Sequence, residues 1–157
     1  MDTRIIEMKN LLVALALTVA VMPCAMAQSG LVTLPSKYSV ADTTDRLEAA
    51  VKSEPGFLVF GRMDYQAIAA TQNAKVRPSQ LLLFGRGGGV QPLLSAAPTL
   101  AIDLPLKALV WEDESGKVWV SHNTAEFLKD RHSALGVDKF LKQITDRTAS
   151  FVKKAIE

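Results

Sequence analysis

An α+β fold, a small antiparallel sheet with helices packed on one face, is what this sequence predicts. Two observations carry the prediction. Short apolar runs bounded by turn residues fill the middle of the chain, at Phe57–Met63, Gln80–Phe84, Leu104–Trp111 and Lys117–Ser121, with the hairpin signal Asp113-Glu114-Ser115-Gly116 between the last two. Apolar residues at helical spacing flank them, at Leu47, Ala50 and Val51 before the runs and at Val137, Phe140, Leu141, Ile144, Thr148, Phe151, Val152 and Ala155 after them.

The first element reads as a secretory signal over residues 1–27. Lys9 precedes an apolar stretch, Leu11–Val21, interrupted only by Thr18, and Ala25-Met26-Ala27 fits a small-residue cleavage site. Met8 offers a second start codon position directly before Lys9. A membrane anchor fits less well, because crossing a bilayer takes about 20 apolar residues. Lipidation of Cys24 fits less well too, because Pro23 stands where a small residue is needed. The expected location is therefore the periplasm or the medium, with no stable membrane anchor after cleavage behind Ala27.

Cleavage removes Cys24, the single cysteine, and with it disulfides, thiol catalysis and cysteine-ligated metals. It also removes Arg4 and Lys9 against Asp2 and Glu7, so the formal net charge of +2 is unchanged. That charge is too small to predict nucleic acid as a partner.

Residues 28–36 read as a tether, and residues 37–157 as one domain starting with a strand at Lys37–Val40. Asp42-Thr43-Thr44-Asp45 supplies caps for a helix ending before Pro55-Gly56. The next strand should place Phe57, Val59 and Met63 on one side and Leu58 and Phe60 on the other. Tyr65–Ala74 is alanine-rich and reads as a short helix. Gln80–Phe84 is apolar on both faces, which suits a strand covered on both sides. Thr124 caps a helix over Ala125–His132, and the long stripe after Gly136 forms the last helix, with Phe140 in the core.

The stretch RPSQLLLFGRGGG (residues 77–89), then APTLAIDLPLKALVWEDESGKVWVSHN (residues 97–123), resembles the bacterial and archaeal family called Domain of Unknown Function 302. The similarity runs from about Ser36 to His132. The resemblance implies a small α+β fold of the TATA-box-binding-protein-like type and no established activity. Two departures stand out. Members usually carry Phe-Gly-Asn-Pro and then Gly-Thr, where this chain has Phe84-Gly85-Arg86-Gly87 and Val90-Gln91. Many carry a histidine after an acidic residue, where this chain has Asp64-Tyr65.

Candidate chemistry is sparse. The glycine run after Phe84 lacks the lysine and hydroxyl of a phosphate-binding loop, and the dinucleotide pattern fails at Val90. What remains is a mobile turn, or an anion-binding nest in which Arg86 anchors a ligand and Gly87, Gly88 and Gly89 donate N–H groups. Asp64 and Asp103 are expected to orient Arg86 if the strand ends converge. Asp103, before Leu104-Pro105, is the best placed carboxylate for acid/base work, but no nucleophile accompanies it. His122 and His132 are the only histidines, too few and too far apart for a recognisable metal motif. Trp111 and Trp119, on paired strands, read as core. The sequence thus predicts an exported binding or interaction module without catalysis or cofactor, its partner a small molecule, a protein or a second copy in a homodimer. The alternatives are a hydrolase using Asp103, Asp64 and Arg86, and a periplasmic metal handler using His122 and His132.

Overall fold

The computed structural model describes residues 30–88 and 90–157; the expected signal segment and Gly89 lie outside the described residues. Five antiparallel strands, β1 (Leu31–Ser36), β2 (Phe57–Asp64), β3 (Ser79–Arg86), β4 (Leu106–Glu112) and β5 (Val118–Asn123), form one sheet in the order β1-β5-β4-β3-β2. The helices are α1 (Val40–Lys52), α2 (Tyr65–Ala70), α3 (Val90–Ala96), α4 (Ala125–His132) and α5 (Asp138–Ile156), with a 3-10 turn at Pro98–Ile102.

Residues 28–29 of the expected tether also lie outside the described residues, and from Leu31 the segment is an edge strand instead. Leu31–Ser36 pairs with β5 from Leu31↔Asn123 to Ser36↔Val118. Val32 and Leu34 alternate with Thr33 and Pro35, and an edge position tolerates the missing N–H of Pro35. Residues 37–40, expected as a strand, are a turn at 37–39 and the first residue of α1, Val40. Ser39 caps that helix, its Oγ accepting from the Asp42 N–H at 3.1 Å. Thr43 and Thr44, read as caps, are buried inside the first turn, where the Thr44 hydroxyl donates to the Val40 carbonyl at 2.8 Å.

One face of the sheet carries the main core. Leu82 and Phe84 of β3, Ala108 and Val110 of β4 and Val120 of β5 pack under Leu47 and Val51 of α1 and Phe151 and Val152 of α5. The Phe151 ring meets Phe57 edge-on at 5.1 Å and Phe84 at 6.1 Å. Arg46 of α1 closes the far end of α5 by donating from Nε to the Ala155 carbonyl at 2.9 Å, the kind of contact that satisfies the orphan carbonyls of a helix end. A second cluster, Leu93, Leu100, Leu128, Val137 and Leu141, joins α3, the 3-10 turn, α4 and the start of α5.

Three expectations fail here for identifiable reasons. A bulge between Val59 and Gly61 reverses the alternation of β2, so Met63 pairs with Leu81 on the uncovered face, and Arg62, opposite Leu82, faces α1 and bonds Asp45 at 2.5 Å. β3 is covered on one face only. Phe140 is 43% exposed, because it sits at the margin of a stripe whose buried members are Leu141, Thr148, Phe151, Val152 and Ala155.

Candidate functional site

The expected constellation of Arg86, Asp64 and Asp103 does not assemble. Arg86 pairs with Phe57 at one end of the β2–β3 ladder and Asp64 with Gln80 at the other. Six residue steps along β3, from Gln80 to Arg86, separate those ends, roughly 20 Å at about 3.3 Å per residue. Asp64 is engaged locally: it accepts from the Ala67 N–H at 2.9 Å, capping α2, and from Gln80 Nε2 at 2.9 Å. Those bonds, the backbone one foremost, hold its carboxyl below the ordinary carboxylate value. Exposed Arg86 lies beside Gly56, whose missing β-carbon would meet Arg86 Nε at 3.4 Å. Gly85 belongs to β3 and accommodates the Phe60 ring, which an added β-carbon would meet at 3.4 Å. Gly87 and Gly88 border an open hollow of about 600 Å³ with Val90, Gln91, Leu94 and Ser95; Arg86 does not line it.

Asp103 meets a different partner. It closes the 3-10 turn, and its Oδ2 lies 2.6 Å from His132 Nε2 and 3.1 Å from Arg131 Nε. His132 Nδ1 lies 3.0 Å from the hydroxyl of Thr99. The His132 side chain is 4% exposed and that of Asp103 15%. Sequence reasoning had singled out Asp103 and His132 but not Thr99. The signal for Thr99 was Pro98-Thr99, a proline opening a short helical turn with a hydroxyl next to it.

His122 is on the helix-covered face of β5, opposite Ala108, and buried. Its Nδ1 reaches the Asn123 carbonyl at 3.1 Å, so Nδ1 carries the proton that is donated there. Nε2 is buried with no hydrogen-bond partner among the described residues. Burial pushes the His122 imidazole below its ordinary value. A cavity of about 10 Å³, the size of one water, separates His122 from Asp103 and is also lined by Leu106, Leu128 and Thr148. Among the described residues no three His, Cys, Asp or Glu groups gather as a metal set, and both nitrogens of His132 are engaged.

The uncovered sheet face is the other candidate surface. Successive rows across it read Thr33–Ser121–Leu109–Leu81–Met63 and Pro35–Trp119–Trp111–Ser79. Leu58 and Phe60 of the β2 edge extend it and are 53% and 57% exposed. The tryptophans therefore lie on this face, half-buried, rather than in the helix-covered core. They stack at 6.4 Å, and their N–H groups are satisfied locally, Trp111 by Ser121 of β5 at 3.0 Å and Trp119 by Asp113 of the hairpin turn at 2.7 Å. What the face offers outward is mainly apolar ring and aliphatic surface, with Lys107 opposite Leu83 and Lys117 Nζ 4.1 Å over the Trp119 ring.

A model of the family described as "Domain of unknown function DUF302" matches residues 32–155. Two curated proteins called "Fluoride-specific ion channel FluC 1", from Brucella suis biovar 1 and Brucella abortus biovar 1, are each 39% identical over 132 residues. The match takes in 83% of this chain but 52% and 48% of theirs, so the chain spans about half the length of these relatives. Among the described residues no helix is long and apolar enough to cross a membrane. The crystal structure of an uncharacterized conserved protein DUF302 from Bacillus stearothermophilus superposes with a TM-score of 0.72 at 17% identity. That superposition covers 81% of this chain and 98% of the other, a likeness of fold.

Proposed function

The chain belongs to the DUF302 family, and from that premise we propose that it is an exported interaction module whose uncovered sheet face docks on the same face of a second copy. The observation that carries this reading is the apolar sheet surface built from Leu58, Phe60, Met63, Leu81, Leu83, Leu109, Trp111 and Trp119. Contiguous apolar patches on this scale mark interaction sites. A second copy is the occupant favoured by apolar character and by size. None of those eight residues is charged; of the cations beside them, Lys107, opposite Leu83, is held by the Asp103 carbonyl and Lys117 lies over the Trp119 ring, and a two-fold pairing is the commonest oligomer geometry. Five strands about 4.8 Å apart, each about six residues at about 3.3 Å, outline roughly 400 Å² in projection. Large side chains raise the accessible area of such a face toward the roughly 800 Å² per partner of a standard interface.

Export rests on the basic, apolar and small-residue sequence of residues 1–27. The channel name belongs to relatives about twice the matched length; for them, the reading makes the matched part a docking domain attached to the remainder. Sedimentation velocity over a concentration series tests the pairing. The protein should dimerise, Phe60→Glu should shift it to monomer, and Phe140→Glu, an exposed apolar position on α5, should leave the dimer intact. A protein monomeric throughout the series, or a dimer indifferent to Phe60→Glu, overturns the reading.

A further inference from the structure

We propose that Thr99, His132 and Asp103 form a nucleophilic site for small carboxylic esters, with Thr99 Oγ1 as the attacking atom, separate from the uncovered sheet face. The order of contacts is hydroxyl, imidazole, carboxylate: Thr99 Oγ1 at 3.0 Å from His132 Nδ1, and His132 Nε2 at 2.6 Å from Asp103 Oδ2. A carboxylate only accepts, so Nε2 carries a proton, and in the neutral ring Nδ1 is the lone pair. The Thr99 hydroxyl then donates to Nδ1, the polarity by which a base activates a nucleophile.

The surroundings fit that task. Thr99 is exposed, whereas the imidazole beside it is almost wholly shielded from solvent. Asp103 is fixed from several sides: Arg131 Nε bonds its carboxylate, its N–H donates to the Leu100 carbonyl at 3.0 Å, and Lys107 Nζ donates to its carbonyl at 2.9 Å. The apolar contacts of Leu100 and Leu128 in the second core cluster hold the 3-10 turn against α4, which keeps hydroxyl and imidazole in register. A supported orienter of this kind is what a working base needs.

The reaction balances with water as co-reactant. Thr99 Oγ1 bonds to the ester carbonyl carbon and its proton moves to His132 Nδ1. The carbon–oxygen bond to the leaving alcohol breaks, and the proton passes from Nδ1 to that oxygen. Water then attacks the acyl–threonine, gives its proton to Nδ1, and the proton returns to Thr99 Oγ1 as the carboxylic acid leaves. Asp103 positions the ring throughout, and Arg131 positions Asp103.

The probe is p-nitrophenyl acetate with purified protein. Release of p-nitrophenolate should be accompanied by one acetyl group on Thr99, located by peptide mass mapping after an acid quench. Thr99→Ser should keep the label, Thr99→Val should lose it, and His132→Gln should slow labelling by about 100-fold or more. Because Thr99 is exposed and valine is its near-isostere, the Ser/Val pair decides the matter even if His132→Gln does not fold. Acetylation confined to lysines, or p-nitrophenolate release in Thr99→Val within about twofold of the parent rate, a difference far below what a positioned base supplies, overturns the proposal.

Discussion

Asp103 Oδ2 stands 2.6 Å from His132 Nε2, although 29 residues separate the two in the chain. The contact ties the 3-10 turn to the last turn of α4 through groups that are nearly removed from water. Asp103→Ala leaves the shielded imidazole and the Arg131 Nε without their acceptor, and a buried donor left unpaired costs about 1–3 kcal/mol. Urea denaturation of Asp103→Ala should show a loss on that scale, with Asp103→Asn, which keeps an oxygen acceptor, falling between it and the parent.

Phe151 and Phe140 make a paired prediction on one helix. Phe151 is almost fully buried between Phe57 and Phe84, so Phe151→Ala should cost about 3–5 kcal/mol. Phe140 is substantially exposed, and Phe140→Ala should stay within about 1 kcal/mol, as surface changes do. Thermal melts of the two variants side by side check the order; equal losses would place the α5 stripe wrongly.

Stability should fall on mild acidification because of His122. Its folded value is pushed down by burial from the ordinary 6.5. The unfolded chain therefore binds the proton first, and stability falls as pH drops through 6.5 toward the lowered folded value. The lowered carboxylates, Asp64, Asp113 and Asp138, act only around and below their ordinary value of 3.8. His122→Leu, which removes the unpartnered Nε2, should flatten the pH dependence of the melting temperature between about 6.5 and 4.5. An unchanged slope would contradict that origin.

Asp113 organises the β4–β5 hairpin. Its Oδ1 accepts from the Ser115 hydroxyl, the Ser115 N–H and the Lys117 N–H, and its Oδ2 from Trp119 Nε1. These bonds, the Ser115 hydroxyl first, hold its carboxyl far below 3.8. The stabilisation is present above 3.8 and is lost as pH falls through the lowered folded value. Asp113→Ala should lower the melting temperature and shift tryptophan emission as Trp119 loses its acceptor; unchanged emission would mean that the indole is held by stacking alone.

The long helices α1 and α5 were legible because their stripes are local, whereas α3 (Val90–Ala96) and the 3-10 turn were not expected. Leu47, Ala50 and Val51, and Leu141 through Ala155, carry the period of a helix without help from the rest of the chain. β1 was not legible. Pro35 and the preceding glycine look like linker residues, and only the register with β5, far along the chain, makes Leu31–Ser36 a strand. The bulge at Phe60 is a single extra residue with no compositional mark, yet it moves Met63 to the other face. The candidate site was half legible. Asp103 and His132 were each visible as types, but their meeting is tertiary, and Thr99 had only a proline beside it. Arg86 and Asp64 were grouped as neighbouring strand ends, whereas in an antiparallel pair the C-terminal ends of consecutive strands lie at opposite edges.

The central claim is that the uncovered sheet face meets its own copy, and a benzophenone photocrosslinker installed in place of Phe60 tests it most directly. Irradiation of the purified protein should yield a covalent dimer whose adduct maps to the uncovered face of the second copy, among Leu58, Met63, Leu81, Leu83, Leu109, Trp111 and Trp119. Recovery of monomer only, or adducts mapping to α1 or α5, would contradict the account.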